Sequence, residues 1–266
     1  MSKVAASSNR PIYEARVAAA TGGVACADSD TGSDLEANGH FSHLKDLLAL
    51  PGLVCLSLET DAVLQHDEHP DALFGIVSDG IVGIQHVLTD GRRSISHLFL
   101  PGDIIDFRYF NKVASNAVCL FPCELVLVDA DSLSKLGEDE QEVRSMLGHS
   151  LMKHWGFATR HCTDLARKSA VEKLASYIFE CQNRNPVRLE NVNKGSVHLA
   201  LRRIDISDYL GLRPETLCRA FAKLKQSKLI AFNDIGYVHI LNEDVLRNIA
   251  DGCSVDKHLN EQRAAS

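Results

Sequence analysis

The chain has 266 residues, of which 45% are hydrophobic and 24% charged, with a net charge of -7. That length supports two domains with their own cores, and the composition is that of an ordinary soluble globular protein. No apolar run approaches the roughly 20 residues of a membrane span and the N-terminus shows no signal-peptide pattern, so a cytoplasmic protein without a membrane partner is expected. Eight cysteines without a regular framework then read as free thiols. No Gly-rich phosphate loop, nucleophile elbow or zinc-ligand spacing is present, which argues against an enzyme. The negative charge is segregated: residues 160–230 hold 14 Lys/Arg against 7 Asp/Glu, whereas residues 1–159 hold 11 against 22. A basic module carried by an acidic partner suits local phosphate binding.

Residues 1–38, rich in Ala, Ser, Gly and Asp, read as a flexible tail. Residues 40–50 predict a short amphipathic helix stopped by Pro51-Gly52. From Val54 to Val128 short apolar runs alternate with turn signals. The strand candidates are Val54–Leu58, Leu73–Ser78, Ile81–Leu88, Ser94–Leu100, Asn116–Leu120 and Glu124–Val128, with turns at Asp79-Gly80, Asp90-Gly91 and Pro101-Gly102-Asp103. This spacing predicts a β-sandwich or jelly roll over 39–137. From about Glu138 the period becomes helical. Leu147, Leu151, Trp155, Ala158, Cys162 and Leu165 recur at steps of three and four, close to a coiled-coil seam, and predict a dimerisation helix over 138–168. The alternative for this helix is packing against its own β domain.

Over 169–252 a second domain is expected. Ser169–Gln182 is a helix with Val171, Leu174, Ala175, Ile178 and Phe179 as its core stripe. Residues 204–230 then read as two short helices joined by a tight turn. Gly211 ends the first, and Pro214 opens the second at a position where its missing N–H costs nothing. Leu217, Phe221, Leu224 and Leu229 point inward, leaving the basic positions to point elsewhere. Such a helix-turn-helix lays its second helix in the DNA major groove. Glu215 and Arg219 lie one turn apart and can reach neighbouring bases, Arg toward guanine and Glu toward the cytosine amino group. Residues 231–241 predict a wing hairpin with its turn at Asn233-Asp234 and Gly236. Residues 253–266 read as a second flexible tail.

Tyr209-Leu210-Gly211-Leu212 followed by Glu215-Thr216-Leu217-Cys218-Arg219 resembles the reading helices of the CRP/FNR superfamily of bacterial transcription regulators, in the form closest to the FNR and FixK branches. Leu100-Pro101-Gly102-Asp103 resembles the family's sensor-domain turn, so the resemblance spans roughly residues 40–250. It implies an α+β protein: a β jelly-roll (cupin-like) sensor domain, a long dimerisation helix and a C-terminal winged helix-turn-helix. It further implies a homodimer that binds TTGA-containing palindromes in double-stranded DNA and recruits RNA polymerase, in the control of microoxic, anaerobic or nitrogen-oxide metabolism. Glu215, Cys218 and Arg219 are then the base readers, with Arg213, Thr216, Lys223 and Lys225 at the DNA backbone. Arg213 departs from the Ser or Thr that usually caps this helix.

No cofactor is expected. Cyclic-nucleotide binding in this family uses a Gly-Glu pair soon after the P-G-D turn and then an Arg at the phosphate; here Ile104-Ile105-Asp106 follows the turn and neither feature appears. An iron–sulfur cluster needs several thiolates close together; one held by Cys26, Cys55, Cys119 and Cys123 is a cofactor alternative. Haem, through His40, His43, His66, His69, His86 or His97, is the remaining cofactor alternative. A cupin-like small-molecule or metal-binding enzyme is the alternative function, but no H-x-H followed closely by Glu is present, and His66 and His69 fall in an apparent loop. Cys218 is also a redox candidate, because helix N-termini and nearby cations favour the reactive thiolate.

Overall fold

The computed structural model describes residues 53–64, 71–106, 116–134, 140–184, 196–199, 201–232 and 237–253. The expected tails apart from Cys253, the helix over 40–50, the loop carrying His66 and His69, Cys26, and the wing turn at 233–236 lie outside these residues. Two compact units are present. The first contains the described residues up to His86 together with Leu98–Gly156, and the second contains Val87–His97 and the described residues from Phe157 onward.

Apart from Val87 and Arg93–His97, the first unit holds the residues of a six-stranded sheet: β1 (Val54–Leu58), β2 (Val63–Leu64), β3 (Ala72–Val87), β4 (Arg93–Phe99), β5 (Ile104–Asp106) and β6 (Asn116–Asp129). The order is β1-β6-β3-β4, with β2 paired to β6 and β5 to β3. Successive side chains of a strand point to opposite faces. Leu125 and Leu127 of β6 therefore enter one cluster, with Leu56, Val77, Val82 and Ile105, while Val126 and Val128 enter another, with Phe74, Ile76 and Ile104. A sheet buried on both faces gives continuous apolar runs instead of alternation, which is how these strands read.

One expected turn, and one expected break between strands, lie inside continuous strands. Asp79-Gly80 lies inside β3, and Phe121-Pro122-Cys123 lies inside β6; each pair of predicted short strands is one long, bulged strand. The register between β3 and β6 shifts at Val77/Asp79, Asp79/Ile81 and Ile81/Val82. Gly80 has φ +86, and a Cβ there would stand 2.1 Å from the Pro122 carbonyl oxygen. The turn-like residues accommodate a bulge and a close backbone approach.

Helix α1 (Ala130–Ser134) precedes α2 (Glu140–Arg167), the long helix expected from the seam. In the second unit α3 (Ala170–Arg184) is followed by β7 (Ser196–His198), α4 (Arg203–Tyr209), α5 (Pro214–Gln226), β8 (Ile230–Phe232), β9 (Tyr237–Ile240) and α6 (Glu243–Ala250). The strands form an antiparallel sheet in the order β7-β9-β8. Leu174, Ala175, Ile178 and Phe179 of α3 are buried as expected, with Tyr177 beside them, while Val171 is half-buried. Two features were not expected. β7 adds a third strand to the wing, and α6 starts at Asn242, whose side chain accepts the Val245 N–H at 3.1 Å and so caps the helix. Leu246, Ile249 and Ala250 bury the inner face of α6. Among the described residues no helix is long and apolar enough to cross a membrane.

Candidate nucleic-acid interface

Helix α4 ends where the backbone turns left-handed. Gly211 has φ +61, the Leu210 N–H donates to the Ile206 carbonyl at 2.9 Å and the Leu212 N–H to Ser207 at 2.8 Å. These bonds satisfy carbonyls that the helix end would leave open, in a conformation glycine adopts without cost. Arg213 then stands at the N-cap of α5 with an extended backbone and no side-chain cap bond, and Pro214 occupies the first turn. The cap missing from the sequence is missing from the structure too.

Helix α5 divides cleanly into two faces. Leu217, Ala220, Phe221 and Leu224 are buried, while Glu215, Cys218, Arg219 and Lys225 are exposed and Thr216 and Lys223 half-buried. Residues three and four apart share a helix face, so Glu215, Cys218 and Arg219 present one contiguous polar surface within its first two turns. Leu229, read as part of this helix, lies beyond its end at Gln226, but it is buried.

Sequence reasoning missed three arginines around α4. Arg203 lays its guanidinium over the Phe221 ring, 3.7 Å from the centroid, and reaches the Phe232 ring at 5.1 Å. This joins the start of α4 to α5 and the wing by cation–π attraction. Burial pulls the Arg203 guanidinium below its usual range, with the neighbouring Cys218 thiol opposing that shift. Asp205 of α4 is fully buried and accepts from Arg202 Nε at 2.6 Å and from Arg93, while Arg93 Nε donates to Asp208 at 2.7 Å. A buried carboxylate held by two guanidinium groups fixes α4. No periodicity marks these arginines; only the short polar surroundings of Ile206 and Tyr209 hint at a buried charge.

A family model described as a Crp-like helix-turn-helix domain matches residues 172–249. The transcriptional activatory protein AadR of Rhodopseudomonas palustris is 30% identical over 170 residues, covering 64% of this chain and 70% of AadR. The chain belongs to the CRP/FNR family. Within it the chain is FixK-like. The nitrogen fixation regulation protein FixK of Rhizobium meliloti is 28% identical over 176 residues, covering 66% of this chain and 77% of FixK. The solved structure of FixK2 from Bradyrhizobium japonicum aligns with a TM-score of 0.61 at 26% identity, covering 76% of this chain and 99% of FixK2.

As a CRP/FNR regulator this is a DNA-binding transcription protein and not an enzyme. Its fold class is the expected one, a β-rich sensor with a C-terminal helix-turn-helix. Regulators of this family are dimers, and the residues expected to form a seam lie on α2. Leu151, Met152 and Trp155 are 64%, 66% and 70% exposed, an unusual amount of bare apolar surface on one helix. Cys162 is exposed, and Ala158 and Leu165 are half-buried. Leu147 packs against the sensor cluster of Phe74 and Val126, and Leu165 lies 3.4 Å from where a Gly211 Cβ would be. The ends of the seam thus contact this chain's own units, and its middle is bare.

In the sensor unit Cys119 and Cys123 are buried, and Cys55 is half-buried on neighbouring β1. Cys123 Sγ donates to the Phe121 carbonyl at 2.8 Å and the Ile81 carbonyl at 3.2 Å. Its thiol is pushed well above the usual range, first by its bond with Cys119 and then by burial. Among the described residues no three His, Cys, Asp or Glu side chains cluster at metal-binding distance.

Proposed function

We propose that the chain acts in the cytoplasm as a homodimer that reads palindromic DNA with TTGA half-sites and recruits RNA polymerase. Glu215, Cys218 and Arg219 face the base edges; Arg213, Thr216, Lys223 and Lys225 hold the phosphates. Leu147, Leu151, Trp155, Ala158, Cys162 and Leu165 line the dimer seam. The organisation is a β-roll sensor over 39–137, a dimerisation helix over 138–168 and a winged helix-turn-helix over 169–252.

The observation that carries this reading is the polar face of α5, with Glu215, Cys218 and Arg219 exposed together while Leu217, Phe221 and Leu224 anchor the opposite side. Its physiological setting, microoxic, anaerobic or nitrogen-oxide metabolism, draws support from relatives named as nitrogen fixation regulators and as a fumarate and nitrate reduction regulator. DNA binding without an added cofactor is part of the same reading.

Fluorescence anisotropy on a TTGAT-NNNN-ATCAA duplex, in air and at fixed salt, tests it against a scrambled duplex. Specific binding is expected. Arg219→Ala weakens it by about 1–3 kcal/mol and relaxes preference at one base pair, whereas Lys225→Ala weakens all sequences alike and lowers the salt slope by about one. Equal affinity for both duplexes would overturn the reading.

A further inference from the structure

The second unit contains a cavity of about 350 Å³ between the C-terminal half of α2, α3, the end of α4 and α6. That volume is within the range of small-molecule sites, about 300–1,000 Å³. It lies away from the polar face of α5, since none of Glu215, Cys218 or Arg219 lines it.

Its walls mix aromatic rings and charge. The His161 ring stacks on Tyr209, with centroids 4.0 Å apart and planes 7° from parallel, and Phe157 and Tyr177 add further aromatic wall. Five basic side chains line the cavity against three acidic ones. Two of the acids are already neutralised: Asp164 pairs with Lys168 at 2.6 Å and Glu180 with Arg184 at 2.5 Å, and Glu180 also accepts the Tyr209 hydroxyl at 2.9 Å. The third, Asp251, is exposed. Arg160 and Lys173 make no ion pair among the described residues, so the cavity holds positive charge that the protein does not cancel.

His161 supplies an independent sign. The residue is only 8% exposed, and its Nε2 has no hydrogen-bond partner among the described residues. A buried polar atom without a partner is costly, and native proteins carry few of them. Here that atom belongs to a ring in the cavity wall. A small rearrangement around a bound molecule would give it a partner.

We propose that this cavity binds a small organic anion, with a phosphate or carboxylate head held by Arg160 and Lys173 and a ring-sized body against His161, Tyr209 and Phe157. Charge-assisted bonds from the two cations fix the head. The aromatic wall selects against inorganic ions, which have nothing to place there. The site stands independently of the base-reading assignment, because its residues and those of α5 are separate sets.

Isothermal titration calorimetry of the full chain, in chloride buffer at constant ionic strength, tests it with phenyl phosphate and inorganic phosphate as probes. Saturable binding of one phenyl phosphate per chain is expected, with inorganic phosphate clearly weaker. The Arg160→Ala/Lys173→Ala double variant should bind phenyl phosphate about tenfold or more weakly, through loss of two charge-assisted contacts. Neither side chain is buried, and circular dichroism checks that the variant folds. Arg219→Ala, on the other surface, should bind the probe like the parent. No saturable heat, equal affinity of the double variant and the parent, or a comparable loss in Arg219→Ala would each overturn the proposal, as would inorganic phosphate binding as tightly as phenyl phosphate.

Discussion

Lys153 Nζ lies 3.0 Å from Asp103 Oδ1, tying the long helix α2 to the turn that follows β4. The same carboxylate accepts the Leu100 N–H at 2.9 Å through Oδ2, and it is 3% exposed. Asp103 therefore both closes the Leu100–Asp103 turn and anchors the helix. Asp103→Ala should cost the sensor unit about 2–3 kcal/mol, because the Leu100 N–H and the Lys153 ammonium both lose a charged partner. Lys153→Ala should cost under about 1 kcal/mol, since the lysine side chain is half exposed and its pairing is screened. Urea denaturation followed by circular dichroism compares them. Equal losses would mean that the ion pair, and not the turn, carries the stability.

Gly80 and Gly211 both have positive φ, but they should respond differently to alanine. At Gly211 the nearest atom to an added Cβ is Leu165 Cδ2 at 3.4 Å, an ordinary contact. Only the left-handed backbone is penalised, by about 1–2 kcal/mol. At Gly80 the Cβ would meet the Pro122 carbonyl oxygen at 2.1 Å and the Cys123 Cα at 2.7 Å, both backbone. Gly80→Ala should therefore separate β3 from β6 and leave little folded sensor, whereas Gly211→Ala should fold and melt a few degrees lower. Thermal denaturation of the two variants checks the contrast.

These two glycines also show what could be read from the sequence. Gly211 sits between two amphipathic helices and before Pro214, so local pattern alone places it at a helix end. Gly80 follows Asp79 between apolar runs and reads as a hairpin turn, yet its role is set by Pro122, distant in sequence. The helix α2, the core stripe of α3 and the two faces of α5 were legible because helical periodicity is a local signal. The bulged pairing of β3 with β6, the bond from Arg93 to Asp205, and the cavity beside His161 depend on residues far apart in the chain, and no local pattern records them. Helix α6 is an intermediate case: Asn242 is a good capping signal, but the helix has only eight residues.

The second unit should lose stability in mild acid. Burial lowers the His161 pKa below its usual value of 6.5, with Lys173 adding to that shift and Glu180, Asp164 and the Tyr209 backbone opposing it. Burial moves His198 the same way. The unfolded chain therefore binds protons that the folded chain refuses. Stability is fully present above about pH 6.5 and falls as the pH drops below it, until the folded-state value is reached. His161→Phe keeps an aromatic ring on Tyr209 and removes the titration. Its stability should vary less between about pH 7 and pH 5 than that of the parent. Parallel pH profiles by urea denaturation would show that His161 does not carry the effect.

The bare middle of the α2 seam predicts a dimer that a single charge can weaken. Trp155 is 70% exposed beside Leu151 and Met152, and a second copy of the helix would cover all three. Trp155→Glu places two carboxylates against each other across such a contact, at little cost to the monomer because the position is exposed. Analytical ultracentrifugation should show the parent as a dimer and the variant shifted toward monomer. Binding to a palindromic duplex should fall with it, since two half-sites require two reading helices. A variant that remains fully dimeric would place the interface elsewhere.

Cys218 is exposed between Glu215 and Arg219 on the face proposed to meet DNA, with Arg203 as a charged neighbour. Peroxide oxidises a thiolate to sulfenic acid with release of hydroxide, and a second equivalent gives sulfinic acid with release of water; the sulfinate is anionic and irreversible in the absence of a dedicated repair enzyme. A negative group at that position repels phosphate and disturbs the pairing of Arg219 with a base. Peroxide should therefore weaken specific binding by about tenfold, or some 1.4 kcal/mol, and Cys218→Ala should bind DNA equally well before and after treatment. Mass mapping assigns the modified residue, because Cys162 and Cys253 are also exposed. If the parent and Cys218→Ala lose affinity alike, another thiol is the sensitive one, and Cys218 is only a small side chain on the reading face.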